Sequence, residues 1–158
     1  MIVIGFGSIT GCKKNYYTTG ADSVIHSPWI VLQMTYAGKD ANSDSTFGEV
    51  LTAPSVTQSI IDKGVVLTYI AQGVTSGGDT VISSADNILN PYLYVGKVDL
   101  LSVGDYSGTP FRYVIIPGSI AATSFPNMTL QQIKALPFQE VTKILNTAGK
   151  SASPAKLN

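Results

Sequence analysis

Between Trp29 and Gly118 the chain alternates between short apolar runs and clusters of turn-forming residues. The runs WIVLQMTYAG (29–38), FGEVLTA (47–53), GVVLTYIAQG (64–73), YLYVGKVDLLSVG (92–104) and FRYVIIPG (111–118) are rich in β-branched and aromatic residues. Such side chains fit a pleated, half-buried surface and lose rotamer freedom in a helix, so each run is predicted to be a strand. Strict polar–apolar alternation is weak, and Val65-Val66-Leu67 in particular predicts strands covered on both faces. DYSGTP (105–110) supplies Asp, Gly and Pro between the last two runs, which are therefore expected to form a hairpin.

Helical spacing interrupts this pattern early and again near the end. In APSVTQSIIDKG (53–64), Thr57 is placed to cap the helix N-terminus, Ile60 and Ile61 lie inside it, and Gly64 is placed to end it. In MTLQQIKAL (128–136), Thr129 is an N-cap with Gln132 at the capping-box position. PFQEVTKILN (137–146) starts with Pro137 in a first-turn position and carries Phe138, Val141, Ile144 and Leu145 at helical spacing. These elements predict a mainly β protein: a β-sandwich over residues 28–148 with one short helix and a C-terminal helical appendage, followed by a disordered tail over 149–158. Barrel-like closure is the alternative.

The first residues read differently. Ile2–Ile9 is apolar but far too short to cross a bilayer as a helix, and it ends in Ile9-Thr10-Gly11-Cys12. That tetrapeptide resembles the bacterial lipobox, in which a peptidase cuts before a cysteine carrying a diacylglyceryl thioether. The resemblance implies a leader over residues 1–11, lipidation of Cys12, and a polar tether over 12–27. No Lys or Arg precedes the apolar run, where signal peptides have a basic region. An N-terminal strand with Cys12 as a small buried residue is the alternative for the same stretch. The body also resembles a group of uncharacterised lipoproteins of Bacteroidetes-type bacteria, through APSVTQSIIDKGVVLTY and, downstream, FRYVIIPG. The resemblance implies an envelope location and brings no activity with it. Lys13 and Lys14 directly after Cys12, where surface-exposed members of that group carry acidic residues, favour an outer-membrane protein facing the periplasm.

Composition narrows the function classes. The chain has 158 residues, 44% hydrophobic and only 13% charged, with 10 basic residues balancing 10 acidic ones. No basic stripe exists to displace phosphate counterions, so nucleic acid is not an expected partner. The single cysteine excludes an intrachain disulfide and a thiolate zinc site. No phosphate cradle or nucleophile elbow is present, so no cofactor and no catalytic activity are expected. His26, the sole histidine, has no nucleophile at a matching spacing.

The remaining candidates are weak signals. Asp40, Asn42 and Asp44 alternate like the oxygen ligands that open a calcium loop, but Ser45 and Glu49 break the template, and a solvated hairpin loop is expected. Asp22-Ser23-Val24, Asp44-Ser45-Thr46 and Asp79-Thr80-Val81 resemble the O-glycosylation motif of Bacteroidetes envelope proteins, which implies Ser23, Ser45 and Thr80 as acceptors. Tyr106, in a turn, is the candidate exposed aromatic contact, while Trp29, Tyr36, Tyr69 and Tyr113 are expected in the core. Arg112, the only arginine, either pairs with Asp99 across the expected hairpin or marks a ligand anion. The sequence thus favours a lipid-anchored binding or scaffolding module with a protein or glycan partner. The alternatives are a hydrolase built on carboxylates such as Asp62, Asp99 and Asp105, and a purely structural envelope component.

Overall fold

The computed structural model describes residues 23–148. Two antiparallel sheets face each other. In the first, β1 (Ile25–His26) and β2 (Ile30–Val31) both run beside β9 (Pro110–Ile116), which is followed by β5 (Val65–Val74) and β6 (Thr80–Ser84). The second has the order β3 (Thr35–Lys39), β4 (Ser45–Thr52), β8 (Lys97–Val103) and β7 (Tyr92–Tyr94). The expected β-sandwich is the observed architecture.

The two central strands explain the missing alternation. Phe111, Tyr113 and Ile115 of β9 and Val66 and Ile70 of β5 point between the sheets, against Leu51, Val98 and Leu100. The intervening residues Val65, Leu67, Tyr69, Val114 and Ile116 point the other way, against Ala121, Phe125, Ile133, Phe138, Val141 and Leu145. Those partners lie on α3 (Gly118–Ser124) and its C-cap Phe125, α4 (Leu130–Lys134) and α5 (Phe138–Ala148). The first sheet is therefore the middle layer of three, and Val65 to Ala71 are all buried. A sandwich alone would cover one face; the C-terminal helices cover the second.

Local signals work as expected at the helix ends. Thr57 caps α1 (Gln58–Lys63) by accepting from the Ile60 amide, and Thr129 and Gln132 form both halves of a capping box on α4. Gly64 ends α1 for a different reason from the one expected. Its backbone is extended rather than left-handed, and a Cβ there would lie 2.9 Å from the carbonyl oxygens of both Ile60 and Ile116. Close approach of two backbones selects the glycine.

Other expectations are corrected. The run 29–38 is not one strand: Ile30–Val31 belongs to the first sheet and Thr35–Lys39 to the second. The crossing between them buries Leu32 and Met34 in the core, and its backbone is satisfied by groups off the strand ladder. Leu32 N–H donates to Thr109 O at 3.0 Å, Gln33 N–H to Glu49 Oε2 at 2.7 Å, and Met34 N–H to Ser107 Oγ at 3.1 Å. The run 92–104 is a hairpin, with Tyr94 opposite Lys97 and the turn at Val95-Gly96, where Gly96 takes φ +77°. DYSGTP joins the two sheets, so β8 and β9 are not hairpin partners, and Asp99 lies opposite Val50 and Tyr92. β6, α2 (Asp86–Leu89) and α3 are further elements not anticipated.

The body also begins earlier than residue 28. Ile25 and His26 pair with Ile115 and Val114, so the end of the expected tether is part of the sheet. Four residues lie between Ile25 and Ile30, while three lie between their partners Ile115 and Phe111, which makes a one-residue bulge at Ser27-Pro28-Trp29. Pro28 has no amide to give the ladder. Ser27 repairs the gap: its N–H donates to Tyr113 O at 3.0 Å, and its Oγ accepts from Tyr113 N–H at 3.0 Å. The expected leader (1–11), Cys12 and the tail (149–158) lie outside the described residues.

Candidate functional site

Arg112 sits in the middle of β9, opposite Tyr69 of β5, and both side chains project onto the helix-covered face. The bulge carries Trp29 to the same place. The Arg112 guanidinium carbon lies 5.8 Å from the centroid of the Trp29 ring and 5.8 Å from that of Phe138, the first residue of α5. Phe138 also meets Tyr69 edge-on at 4.9 Å and Trp29 at 6.3 Å. A guanidinium packed beside two aromatic rings is attracted by their quadrupoles, and is more weakly hydrated than an ammonium, which makes arginine suited to the position.

The polar ends of this cluster are incompletely satisfied. Arg112 Nε and the Tyr69 hydroxyl are both buried, and neither meets a hydrogen-bond partner among the described residues. Among the described residues no carboxylate forms an ion pair with Arg112; the ion pair present joins Lys134 Nζ to Asp86 Oδ2 at 3.0 Å. Pairing with Asp99 is thus replaced by aromatic packing, because the two residues lie in different sheets. Burial lowers the Arg112 pKa from its usual value, and raises that of Tyr69, with the Asp86 charge adding to the rise. Partial desolvation by the neighbouring strand first, and the Arg112 charge second, lower the pKa of His26 below its usual 6.5, although the imidazole keeps one side exposed to solvent.

Asp86 forms a separate polar link at the edge of the same sheet. Its Oδ1 accepts a short hydrogen bond from Thr68 Oγ1, and its Oδ2 holds Lys134 of α4. This ties α2, β5 and α4 together and leaves the Arg112 charge without a carboxylate among the described residues.

The other sequence candidates are scattered. Asp40 Oδ1 accepts from the amides of Asn42 and Asp44, each at 2.9 Å, so Asp40 organises its own turn, with Ser43 at φ +70°. No group of three metal-ligating side chains occurs among the described residues. Ser23 and Ser45 are exposed and Thr80 is half-buried. Tyr106 is half-buried and packs against the inter-sheet core, contrary to its expected exposure, because its turn closes one end of the sandwich. Tyr36, expected in the core, is 59% exposed at the end of an edge strand, with its ring 5.9 Å from Phe47. Tyr92 and Tyr94 of β7 are exposed as well, at 51% and 55%.

The carboxylates of the hydrolase alternative are held apart by the fold. Asp62 lies on α1, where it accepts from Gln58 Nε2, and Asp99 lies within β8. Asp105 is exposed in the β8–β9 connection, its pKa lowered by hydrogen bonds from the side chain and backbone of Ser107. Sequence reasoning singled out Arg112 but not Tyr69, Trp29 or Phe138 beside it. The β5–β9 register, the bulge before β2 and the placement of α5 bring those four together.

Comparison with known proteins gives no relative to extend this geometry: no family model, no curated protein and no solved structure matches the chain.

Proposed function

We propose that this chain is a lipid-anchored bacterial envelope protein whose β-sandwich body is a non-catalytic binding module. The anchor reading rests on Ile9-Thr10-Gly11-Cys12 and on the polar stretch that follows it. One observation carries the binding reading: a charged arginine packed beside two aromatic rings, without a carboxylate partner among the described residues, on the face where buried polar groups remain open. Chemistry on a bound substrate would call for a nucleophile and base, or paired carboxylates of displaced pKa, and this cluster contains neither. A half-buried cation beside apolar walls, with donors left open, suits binding.

A diacylglyceryl group supplies the two chains that stable anchoring requires, at about 0.8 kcal/mol per buried methylene. Lys13 and Lys14 would then lie at the headgroups, each adding about 1 kcal/mol on an anionic leaflet. Residence in the outer membrane, facing the periplasm, belongs to the same proposal, as do glycans on Ser23, Ser45 and Thr80.

Intact mass of the protein extracted from membranes tests the anchor. Loss of residues 1–11 with added lipid mass, abolished in Cys12→Ser, is the expected result. A Cys12→Ser protein that is still cleaved before residue 12 and fully membrane-bound refutes the anchor. Added hexose mass would report glycosylation in the same spectrum.

A further inference from the structure

We infer that the Arg112–Tyr69 pair is a docking site for the carboxylate of a small ligand, bound side-on to the guanidinium and flanked by Trp29 and Phe138. The inference deepens the binding reading above and rests on it.

The argument starts from two orphan donors. Arg112 Nε–H and the Tyr69 O–H are each shielded from solvent and lack an acceptor among the described residues, and a buried polar group left unpaired is costly enough to need an explanation. They do not occur at random. The residues are directly opposite on neighbouring strands, share one face of the sheet, and converge on the same Phe138 ring. Tyr69 is 1% exposed, and Arg112 is only half-buried, so the pair grades from a dry floor to an open rim.

Chemistry then selects the ligand group. Both open groups are donors, which calls for an acceptor with several lone pairs, and the positive charge calls for an anion. The two rings, in contact with each other and tilted by 55°, form an apolar wall beside the charge, and the guanidinium is a planar fork whose Nε–H and neighbouring Nη–H are parallel and matched to the two oxygens of a carboxylate. The inner oxygen has a further lone pair to accept from Tyr69. An apolar body attached to the carboxylate would rest against Trp29, which is half-exposed and is the side chain that must yield for an oxygen to reach Nε. No bond is made or broken.

The chain provides its own reporters, since Arg112 is its only arginine and Trp29 its only tryptophan. Benzoate, a carboxylate on a flat apolar body, is the probe. Titrated into the full chain at constant ionic strength, it is expected to shift the single arginine Nε–H resonance and the indole N–H resonance saturably, with matching midpoints. Arg112→Lys keeps the charge but loses the fork, and should weaken binding at least tenfold. Tyr69→Phe should weaken binding at least fivefold while leaving the ligand-free protein as stable or more stable, since it removes an unpaired hydroxyl. A purely structural tyrosine would not show both effects.

Sodium chloride shifting the two resonances as benzoate does means charge screening and overturns the inference. Inorganic phosphate binding as tightly as benzoate overturns the choice of carboxylate. Saturable shifts confined to residues away from Arg112, such as Tyr92 and Tyr94, overturn this site and leave the binding reading standing. The absence of any shift with benzoate and phosphate overturns the site, and the anchor reading is judged separately by the mass of the Cys12 lipid.

Discussion

Replacing Gly118 with alanine should destabilise the protein, although helix propensity alone argues the reverse. Gly118 opens α3, and an alanine inside a helix is worth about 1 kcal/mol over glycine. The new Cβ would lie 2.4 Å from the Lys63 carbonyl oxygen, 0.6 Å inside the 3.0 Å limit that real Cβ contacts keep. No flexible side-chain tip is available to withdraw, because the obstacle is backbone. Lys63 is itself fixed by the next residue, Gly64, whose own Cβ position is 2.9 Å from Ile116 O. Overpacking of this kind costs about 1–3 kcal/mol, and with backbone on both sides the upper part of that range applies. The net expectation is a loss of about 1–2 kcal/mol, or roughly 3–10 °C in midpoint for a domain of this size. Urea unfolding followed by Trp29 fluorescence measures it. Gly77→Ala is the control: its nearest neighbour would be Thr75 Oγ1 at 3.6 Å, and its φ lies outside the left-handed region. There the same substitution should be neutral or stabilising by up to about 1 kcal/mol. If Gly118→Ala matches or exceeds the unmodified protein in stability, with an unchanged denaturant slope, the two-glycine contact between α1 and the β9–α3 corner does not constrain the fold.

Three further outcomes can be checked on the same material. His26 has a folded pKa below its unfolded 6.5, so the unfolded chain binds the proton first, and stability should fall as pH drops through 6.5; His26→Asn should flatten the urea midpoint between pH 7.5 and 5.5, and an unchanged profile refutes the assignment. Asp86→Ala strands Thr68 and Lys134 and should cost about 2 kcal/mol, most of it from the hydrogen bond with Thr68, since the ion pair is partly solvated; a loss below about 0.5 kcal/mol in urea unfolding would show that the link is dispensable. Calcium should not move the thermal midpoint, while Asp40→Ala should lower stability by about 1 kcal/mol through loss of two backbone hydrogen bonds, and Asp40→Asn, which keeps an acceptor, should not; a calcium-dependent rise would revive the loop as a metal site.

How far the sequence could be read depended on the range of the interaction. Thr57, Thr129 and Gln132 act within three or four residues of chain, so their caps were legible as letters. β4 and β5 were legible from side-chain type and flanking residues. The run 29–38 was not, because its switch of sheets at Leu32–Met34 uses no Gly or Pro and is stabilised by Glu49, Ser107 and Thr109, which are remote in sequence. The turn inside 92–104 was missed as well, because a lone Gly96 within an apolar run fits a bulge in one strand as readily as a reversal between two. Arg112 stood out as a charge inside a strand. Its neighbours did not, because Tyr69 and Phe138 are ordinary core residues until the register of two strands and the seat of a helix set them side by side.

The Ser27–Tyr113 exchange also has a consequence for synthesis. The acceptor and donor that Ser27 offers are matched by a residue 86 positions later, and no nearer strand pairs with β1 or β2. At 5–20 residues per second, the segment from Ile25 to Val31 waits roughly 4–17 s for β9 to leave the ribosome, far longer than the microseconds needed to form a hairpin. During that interval its apolar residues and free amides are a template for pairing with other chains. Completion of the first sheet is thus deferred until β9 emerges, while β3–β4 and β5–β6 can pair as hairpins at once. A nascent chain halted before Pro110 should hold these hairpins and remain open to chaperones at its N-terminal end.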